Sequence, residues 1–543
     1  MLRPLEQALT RVVAHRNRLL ILCLVGAGIL SWRLGQDANW DLKNYHLYNA
    51  YALLAGRWGI DFIPASLQTF FNPLADIPYY ILATKIFLTL PQALAVVQGL
   101  YYGVLVYFVF LLNWHAFAAR TALPATTATA ATLIGVSAAA VVGETGTTFN
   151  DIQGALFIFW CLFLLMPRSE EDVITTRRAL WAGVAFGAAV GIKLTCGYYV
   201  LAVVAAVLAS EPTTKSIRTI VLVGVGSAAS ALVLIGPWCL WVYHQTGNPV
   251  FPVFNEFFRS DWYPPIDYAR FFLKPPPLWS ALTYPFAWTK TSVALVTEVE
   301  FRDARLAAAW ISGVTILTGS LLILCARHAI RHDVATALAF GRPMRFLFAF
   351  ALAAYLVWLV LFGVLRFGIA VEVLTGTVIV LGLQAMVAGM LRPAARAGAV
   401  VILAVAIGIG LQTATIYPNW GRLHYEQRTY TVVTPPIPPH SMVVVAGTPL
   451  SFVVPFLRSN DFVAIGISHH HQESRQYRLF AETKKRILGH AGPVFVVTDH
   501  NSEHMRGLAT ELGITWANES CVKLFNNVEQ ALRWCPGRII ASP

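Results

Sequence analysis

The stretch GQDANWDLKNYHLYNAYALLAGRW, residues 35–58, decides how this chain is read. It carries Asp37, Asp41, Lys43 and His46 among aromatic and amide side chains, directly behind the apolar run 19–32. That run approaches the length a helix needs to cross a bilayer, so the ionisable groups behind it stand at a membrane edge. An enzyme acting on a lipid-linked substrate needs its titratable groups there.

Of the 543 residues, 57% are hydrophobic and 13% charged, and the mean hydropathy is +0.59. Such a chain has lipid as its main solvent, which makes it a polytopic membrane protein. Apolar stretches recur at 19–34, 75–90, 93–113, 126–143, 152–167, 179–193, 195–209, 218–243, 306–326, 346–364, 369–391 and 397–416. From residue 417 onward the composition is that of a soluble region. Basic residues precede the first apolar run, but no small-residue cleavage site follows it, so an uncleaved first helix is expected rather than a signal peptide.

The net charge of +12 does not point to nucleic acid, because the basic residues collect in short connectors: Arg16 and Arg18, Arg120, Arg168 and Arg177, Lys215 and Arg218, Arg342 and Arg345, Arg392 and Arg396. Placing these connectors in the cytoplasm satisfies the positive-inside rule with one topology. The outer loops 35–74 and 244–305 and the tail then face outward. Three apolar segments separate Asp41 from Asp151, and three full crossings would put those residues on opposite sides. The 75–90 segment is therefore expected to be re-entrant or to lie along the outer face. About eleven crossings remain, in a mainly α-helical membrane bundle spanning 1–416. A linker at 417–440, with the proline-rich run 435–439, leads to a small α/β domain at 441–543. Its expected strands are Ser441–Ala446 and 493–498, and its expected helix is 474–488.

Cys23, Cys161, Cys196, Cys239 and Cys325 lie in apolar helices, where cysteine is a small packing residue. Cys521 and Cys535 are the two cysteines of the tail and candidates for a disulfide in an oxidising compartment. Their spacing alone does not show that they approach one another. Three consecutive histidines, 469–471, cannot converge on one ion from a regular element, so an exposed polar loop is expected there.

The chemistry falls to the outward-facing acids. Asp41 begins the helical run 43–57, in which Tyr45, Tyr48 and Tyr51 mix with Leu and Ala as in an interfacial helix. A helix N-terminus keeps such a carboxylate ionised; the plainer alternative is that Asp41 only caps the helix. Asp151, in GETGTTFND, is a second acid with the same alternative. Lys193, in GVAFGAAVGIKLTCGYY, interrupts an apolar run and must snorkel, pair with an acid or meet an anion. Arg366 and Glu372 flank the start of another helix and are expected to pair with each other. TGNPVFPVFN, 246–255, opens the large outer loop; its Asn248 either contacts a headgroup or belongs to a rigid loop floor.

The order WDLKNYH, FNPL at 71–74, an aspartate before a helix at Asp151, and GIKLTCGYY resembles the GT-C glycosyltransferases. The likeness is to the branch holding the protein mannosyltransferases and the lipid A aminoarabinose transferases, integral membrane enzymes with a polyprenyl-phosphate sugar donor. It covers about residues 1–210 at motif level and, through the plan of many helices followed by a small outer domain, extends loosely over the whole chain. The resemblance implies a catalytic base at Asp41, a second acid at Asp151 and the family's lysine at Lys193. The paired first-loop acids of the family are replaced by Asp37 and Asp41, four residues apart, so either stands as the base.

A polyprenyl phosphate is already a good leaving group. The enzyme must add a base for the acceptor hydroxyl or amine and positive charge for the departing phosphate. Lys193, Arg366 or Arg270 would supply that charge, with Tyr45, His46 and Asn248 as further substrate contacts and a divalent metal as an option. No Gly-rich phosphate loop is visible, which argues against a nucleotide-sugar donor. The expected function is sugar transfer from a polyprenyl-phosphate donor to a lipid, glycan or protein acceptor at the outer face of a bacterial inner membrane, with the C-terminal domain periplasmic. A polysaccharide ligase or polymerase would lean on arginines and histidines in a large outer loop. A transporter would show internal repeats or polar residues in mid-span. The first-loop acids favour the transferase.

Overall fold

Apolar chain in lipid has no water to satisfy its N–H and C=O groups, so it coils into helices. In the computed structural model, which describes residues 2–118, 120–266, 277, 280, 282–291, 299–325, 340–499, 503–529 and 531–540, the apolar runs are helical. Among the described residues six helices have the length and apolarity to cross a bilayer: Arg16–Leu34, Pro91–Phe117, Thr213–Leu234, Arg342–Leu361, Arg366–Ala388 and Ala395–Ala414. Shorter apolar helices, Asp151–Leu165, Leu194–Ser210 and Arg305–Leu321, stand beside them. The eleven crossings expected exceed what helix length and apolarity identify by themselves.

Helix breaks divide three runs that read as continuous. The 218–243 run is Thr213–Leu234 followed by Gly236–Thr246, because Pro237 restarts the helix with its own fixed φ. The 126–143 run ends at Val136 and resumes as Ala139–Gly143. The 369–391 run opens with the single turn Ile369–Glu372 before Thr375–Met390. Glu372 accepts from the Ala140 and Val141 amides, both at 2.9 Å, and so satisfies the buried start of Ala139–Gly143. The expected pairing of Glu372 with Arg366 does not form: the amides of a helix start occupy the carboxylate instead. Within 75–90, helical turns cover only Ile77–Ile81 and Leu82–Ile86. Ten helical residues reach about 15 Å, half of the ~30 Å hydrocarbon core.

An N-terminal helix, Leu2–Ala14, precedes the first apolar run. Its Glu6 accepts from the Ala125 and Thr126 amides and the Thr126 hydroxyl, capping Pro124–Val136. Close packing rests on glycine where the helices of the bundle cross. A Cβ on Gly376 would collide with the Ala131 carbonyl, and one on Gly135 with that of Val373, the small-residue contact that lets membrane helices approach.

Among the described residues there are ten short strands. β1 (Gln36–Asp37) pairs with β2 (Arg422–Leu423), and β3 (Val432–Val433) with β9 (Phe525–Asn526). The tail's sheet joins β4 (Ser441–Ala446), β5 (Phe462–Ile467), β6 (Val494–Thr498), β7 (Ile514–Trp516) and β10 (Arg533–Ile539) in the order β5-β4-β6-β10-β7, with β8 (Val522–Lys523) added on β10. β5, β4 and β6 run parallel and β10 antiparallel. Cys521 and Cys535 are disulfide-bonded.

Both faces of β4 are covered, which is why all six of its residues are buried. Val443 and Val445 join Leu42, Leu47 and Tyr48 of the first outer loop in one apolar cluster. Met442 and Val444 point the other way, into a cluster with Phe62, Phe70 and Trp238. Loop residue Phe62 also extends the β5 edge, donating to the Ala464 carbonyl at 2.8 Å and accepting from the Gly466 amide at 2.9 Å. The tail is thus built onto the first outer loop. The histidine run, expected as an exposed loop, is buried at His470 and His471. His471 Nε2 meets the Thr483 hydroxyl at 3.0 Å and His470 Nδ1 the Tyr263 hydroxyl at 3.0 Å. Desolvation holds His471 down at about 4, so it packs as a neutral ring.

Candidate active site

The first outer loop is fixed at its start by Asn39. Its side-chain oxygen accepts from the Leu42 amide at 2.8 Å, and its amide nitrogen donates to Asp37 at 2.8 Å. Capping is therefore done by Asn39, which leaves the Asp41 carboxylate for other work. The next residues, Leu42–His46, take one wide π-helical turn, a distortion that recurs at functional sites. Asp37 is held by the Thr148 amide and hydroxyl, both at 2.9 Å, so it latches the first outer loop to the 144–150 loop.

Asp41 lies across from Arg366, whose Nη1 donates to its Oδ2 at 2.7 Å. The guanidinium is flanked by the Phe149 and Phe367 rings, with centroids at 4.8 and 5.3 Å. Burial pushes the Asp41 carboxyl up, but Arg366, His46 and Lys193 outweigh it and hold the group below the ordinary carboxylate range. Asn150 takes a left-handed conformation, φ 66°, that asparagine tolerates better than most residues, and turns the chain so that Asp151 starts its helix. The Thr176–Ile192 helix stops at Lys193, which turns extended. Its ammonium donates to the Phe149 carbonyl at 2.9 Å and pairs with Asp151. Of the readings open for Lys193, pairing with an acid is the one found.

His46 Nδ1 lies 2.7 Å from Asp76 Oδ1, which also accepts from the Asn150 amide at 2.8 Å. Nε2 of the same ring is buried without a partner among the described residues. Tyr45 stacks its edge on Phe71 at 5.4 Å. Its phenol is pushed well above the ordinary range by burial and by the charge of Asp41. Asp151, Cys196, Tyr198, Tyr199, Arg366 and Phe367 line a small cavity.

The candidates thus separate. Asp41, Asp151, Lys193, Arg366, Tyr45 and His46 converge, and Asp37 secures the loops around them. Asn248 does not join: it is buried in its own turn, accepting from the Val250 amide at 3.0 Å and donating to the Val253 carbonyl at 3.0 Å. The 246–255 segment is a loop floor. Arg270 lies outside the described residues. Among the described residues no group of three or more His, Cys, Asp or Glu side chains is arranged to hold a metal.

Two acids of the site were missed in the sequence. Asp76 follows FNPL in a run that reads as an apolar segment, and only its charge within that run marked it. Glu144, in the same GETGTTFND block as Asp151, is 2% exposed, and both of its carboxyl oxygens lack a partner among the described residues. Burial and the neighbouring Asp151 push it well above the ordinary range against the pull of Lys193 and Arg366.

ArnT from Cupriavidus metallidurans, solved bound to undecaprenyl phosphate, superposes with a TM-score of 0.53 over 96% of this chain and 97% of its own, at 13% sequence identity. Arabinofuranosyltransferase AftD from Mycobacteria gives 0.48 over 97% of this chain and 40% of its own, at 15% identity. ArnT in the apo state gives 0.42 over 95% and 97%, at 13% identity. No family model and no curated protein matches the sequence. At these identities the likeness is one of fold, the GT-C fold of a multi-pass membrane protein.

Proposed function

We propose that this GT-C-fold chain is a glycosyltransferase that moves a sugar from a polyprenyl-phosphate donor to a lipid, glycan or protein acceptor. It works at the outer face of a bacterial inner membrane, with its C-terminal region periplasmic. The observation that carries this reading is the double pairing of Asp41 with Arg366 and Asp151 with Lys193, drawn from four separate segments into one site.

The pairs suit a site waiting for an anion. At rest, Arg366 depresses the basicity of Asp41. A donor phosphodiester competes for Arg366 and Lys193, and as the guanidinium turns to it Asp41 is left buried with less compensating charge. Its proton affinity then rises, and it becomes a base for the acceptor hydroxyl or amine only once the donor is in place. The Asp76–His46 pair keeps the loop carrying Asp41 in register.

The test is transfer from a synthetic polyprenyl-phosphate sugar by purified protein. Asp41→Asn keeps the size of the side chain and should lower kcat by about 10² to 10⁴-fold, the usual contribution of a general base. Near-normal turnover in a monodisperse Asp41→Asn protein would remove Asp41 from the mechanism.

A further inference from the structure

Among the described residues, Glu144 is the buried carboxyl group with no partner on either oxygen. The others are bonded: Glu372 to amides, Asp303 to Arg305, Asp37 to Thr148, Asp76 to His46. An unpaired buried polar group carries a penalty, so an acid with a purely structural role would be bonded as those are. Its backbone is held firmly. Arg422 Nη2 donates to the carbonyls on either side, Gly143 at 3.0 Å and Thr145 at 2.6 Å, and the Thr147 amide donates to the Glu144 carbonyl at 2.9 Å. A fixed main chain carrying an unengaged carboxyl end is a group kept for something that enters the site.

We propose that Glu144 is the acid of the transfer reaction and protonates the phosphate oxygen that leaves the sugar; this rests on the transfer reading given above. The argument is one of charge. The resting site is balanced by its two ion pairs. A phosphodiester donor brings one negative charge, and its departure as a monoester would create a second. In a buried site two charges on one leaving phosphate are costly. A proton from Glu144 keeps the leaving phosphate singly charged.

Glu144 is able to hold that proton. The charged groups around it are Asp151, Lys193, Arg366, Glu372 and Arg422. Burial and Asp151 favour its neutral form, and Lys193 and Arg366 oppose them without prevailing. In the step itself, the bond from the anomeric carbon to the phosphate oxygen breaks, and its electron pair goes to that oxygen, which takes the Glu144 proton. The acceptor atom bonds to the anomeric carbon and gives its own proton to Asp41. Transfer of that proton from Asp41 to Glu144, directly or through water, resets the site.

The experiment compares wild type, Glu144→Gln and Glu144→Asp, measuring kcat against pH with a polyprenyl-phosphate sugar together with infrared difference spectra. Wild-type kcat should fall on the alkaline side as Glu144 loses its proton. Glu144→Gln should lose about 100-fold in kcat with little change in donor KM, and its remaining rate should climb toward acid pH, where solvent protonates the phosphate. Glu144→Asp should recover part of the rate and the alkaline fall. The wild-type minus Glu144→Gln spectrum should contain a protonated-carboxyl band at neutral pH, with or without turnover. Wild-type kcat and an unchanged alkaline limb in Glu144→Gln, or absence of the band, would overturn the assignment. If Glu144→Gln is not monodisperse, the wild type decides, because a profile flat into the alkaline range also overturns it. A clear band in a wild type that transfers no sugar would instead sink the transfer reading, and the acid role with it.

Discussion

Arg366 sets the state of the proposed base, and its removal is the sharpest probe at the residue scale. Asp41 is held below the ordinary carboxylate range by Arg366 against the effect of burial. A group with a depressed folded pKa contributes stability above its unfolded value, and that contribution is lost as pH falls through the folded value. In Arg366→Met the depressing partner is gone and burial remains, so the acid limb of the pH–rate profile should move to higher pH and the donor KM should rise. An acid limb that stays in place would show that Asp41 is not the titrating base. Asp41, Asp151 and Lys193 were legible in the sequence because a charge set against an apolar run is conspicuous. Glu144 was not, since an acid between glycine and threonine looks like ordinary loop. Arg366 and Glu372 misled for the opposite reason: six residues apart, they invited a local pair, while the fold pairs Arg366 with a residue 325 positions away.

Among the elements, the short turns at 77–86 are the ones on which the expected placing of Asp41 and Asp151 on one side depends. Hydropathy marked that segment as apolar, and the parity of crossings marked it as non-spanning, but neither revealed the breaks after Val136, Leu234 and Glu372. Those depend on where particular carboxylates and prolines end a helix, which average apolarity does not register. The arrangement makes a prediction about sidedness. With the five free cysteines replaced, single cysteines at Lys85 and Gln245 should react with an impermeant thiol reagent in cells whose outer membrane is permeabilised. Cysteines at Arg177 and Lys215 should react only after lysis. Labelling at Lys85 and Arg177 from the same side would break the proposed topology.

At the scale of the whole molecule, the tail and the first outer loop share their apolar clusters. The sequence showed where the composition changes, near 417, but a change of composition does not reveal which surfaces will be shared. The alternating faces of β4 could not be assigned to a particular loop from pattern alone. Ser451 donates to the Asn44 carbonyl, and Lys43 pairs with Glu529 at 2.7 Å, so the tail also grips the turn beside Asp41. A chain truncated after residue 440 should therefore yield a helical bundle whose residues 38–94 are open to limited proteolysis and which lacks transfer activity. A truncated protein as resistant as the full chain would show that the loop stands without the tail. One consequence concerns the order of synthesis. Residues 38–70 leave the ribosome early, yet the strands that cover them are made last, on the order of half a minute later at ordinary elongation rates. Through that interval the nascent chain holds a greasy, unfinished surface outside the membrane. The proposed transfer site is incomplete until the tail has been translated, and until then this surface is open to holding chaperones or to degradation.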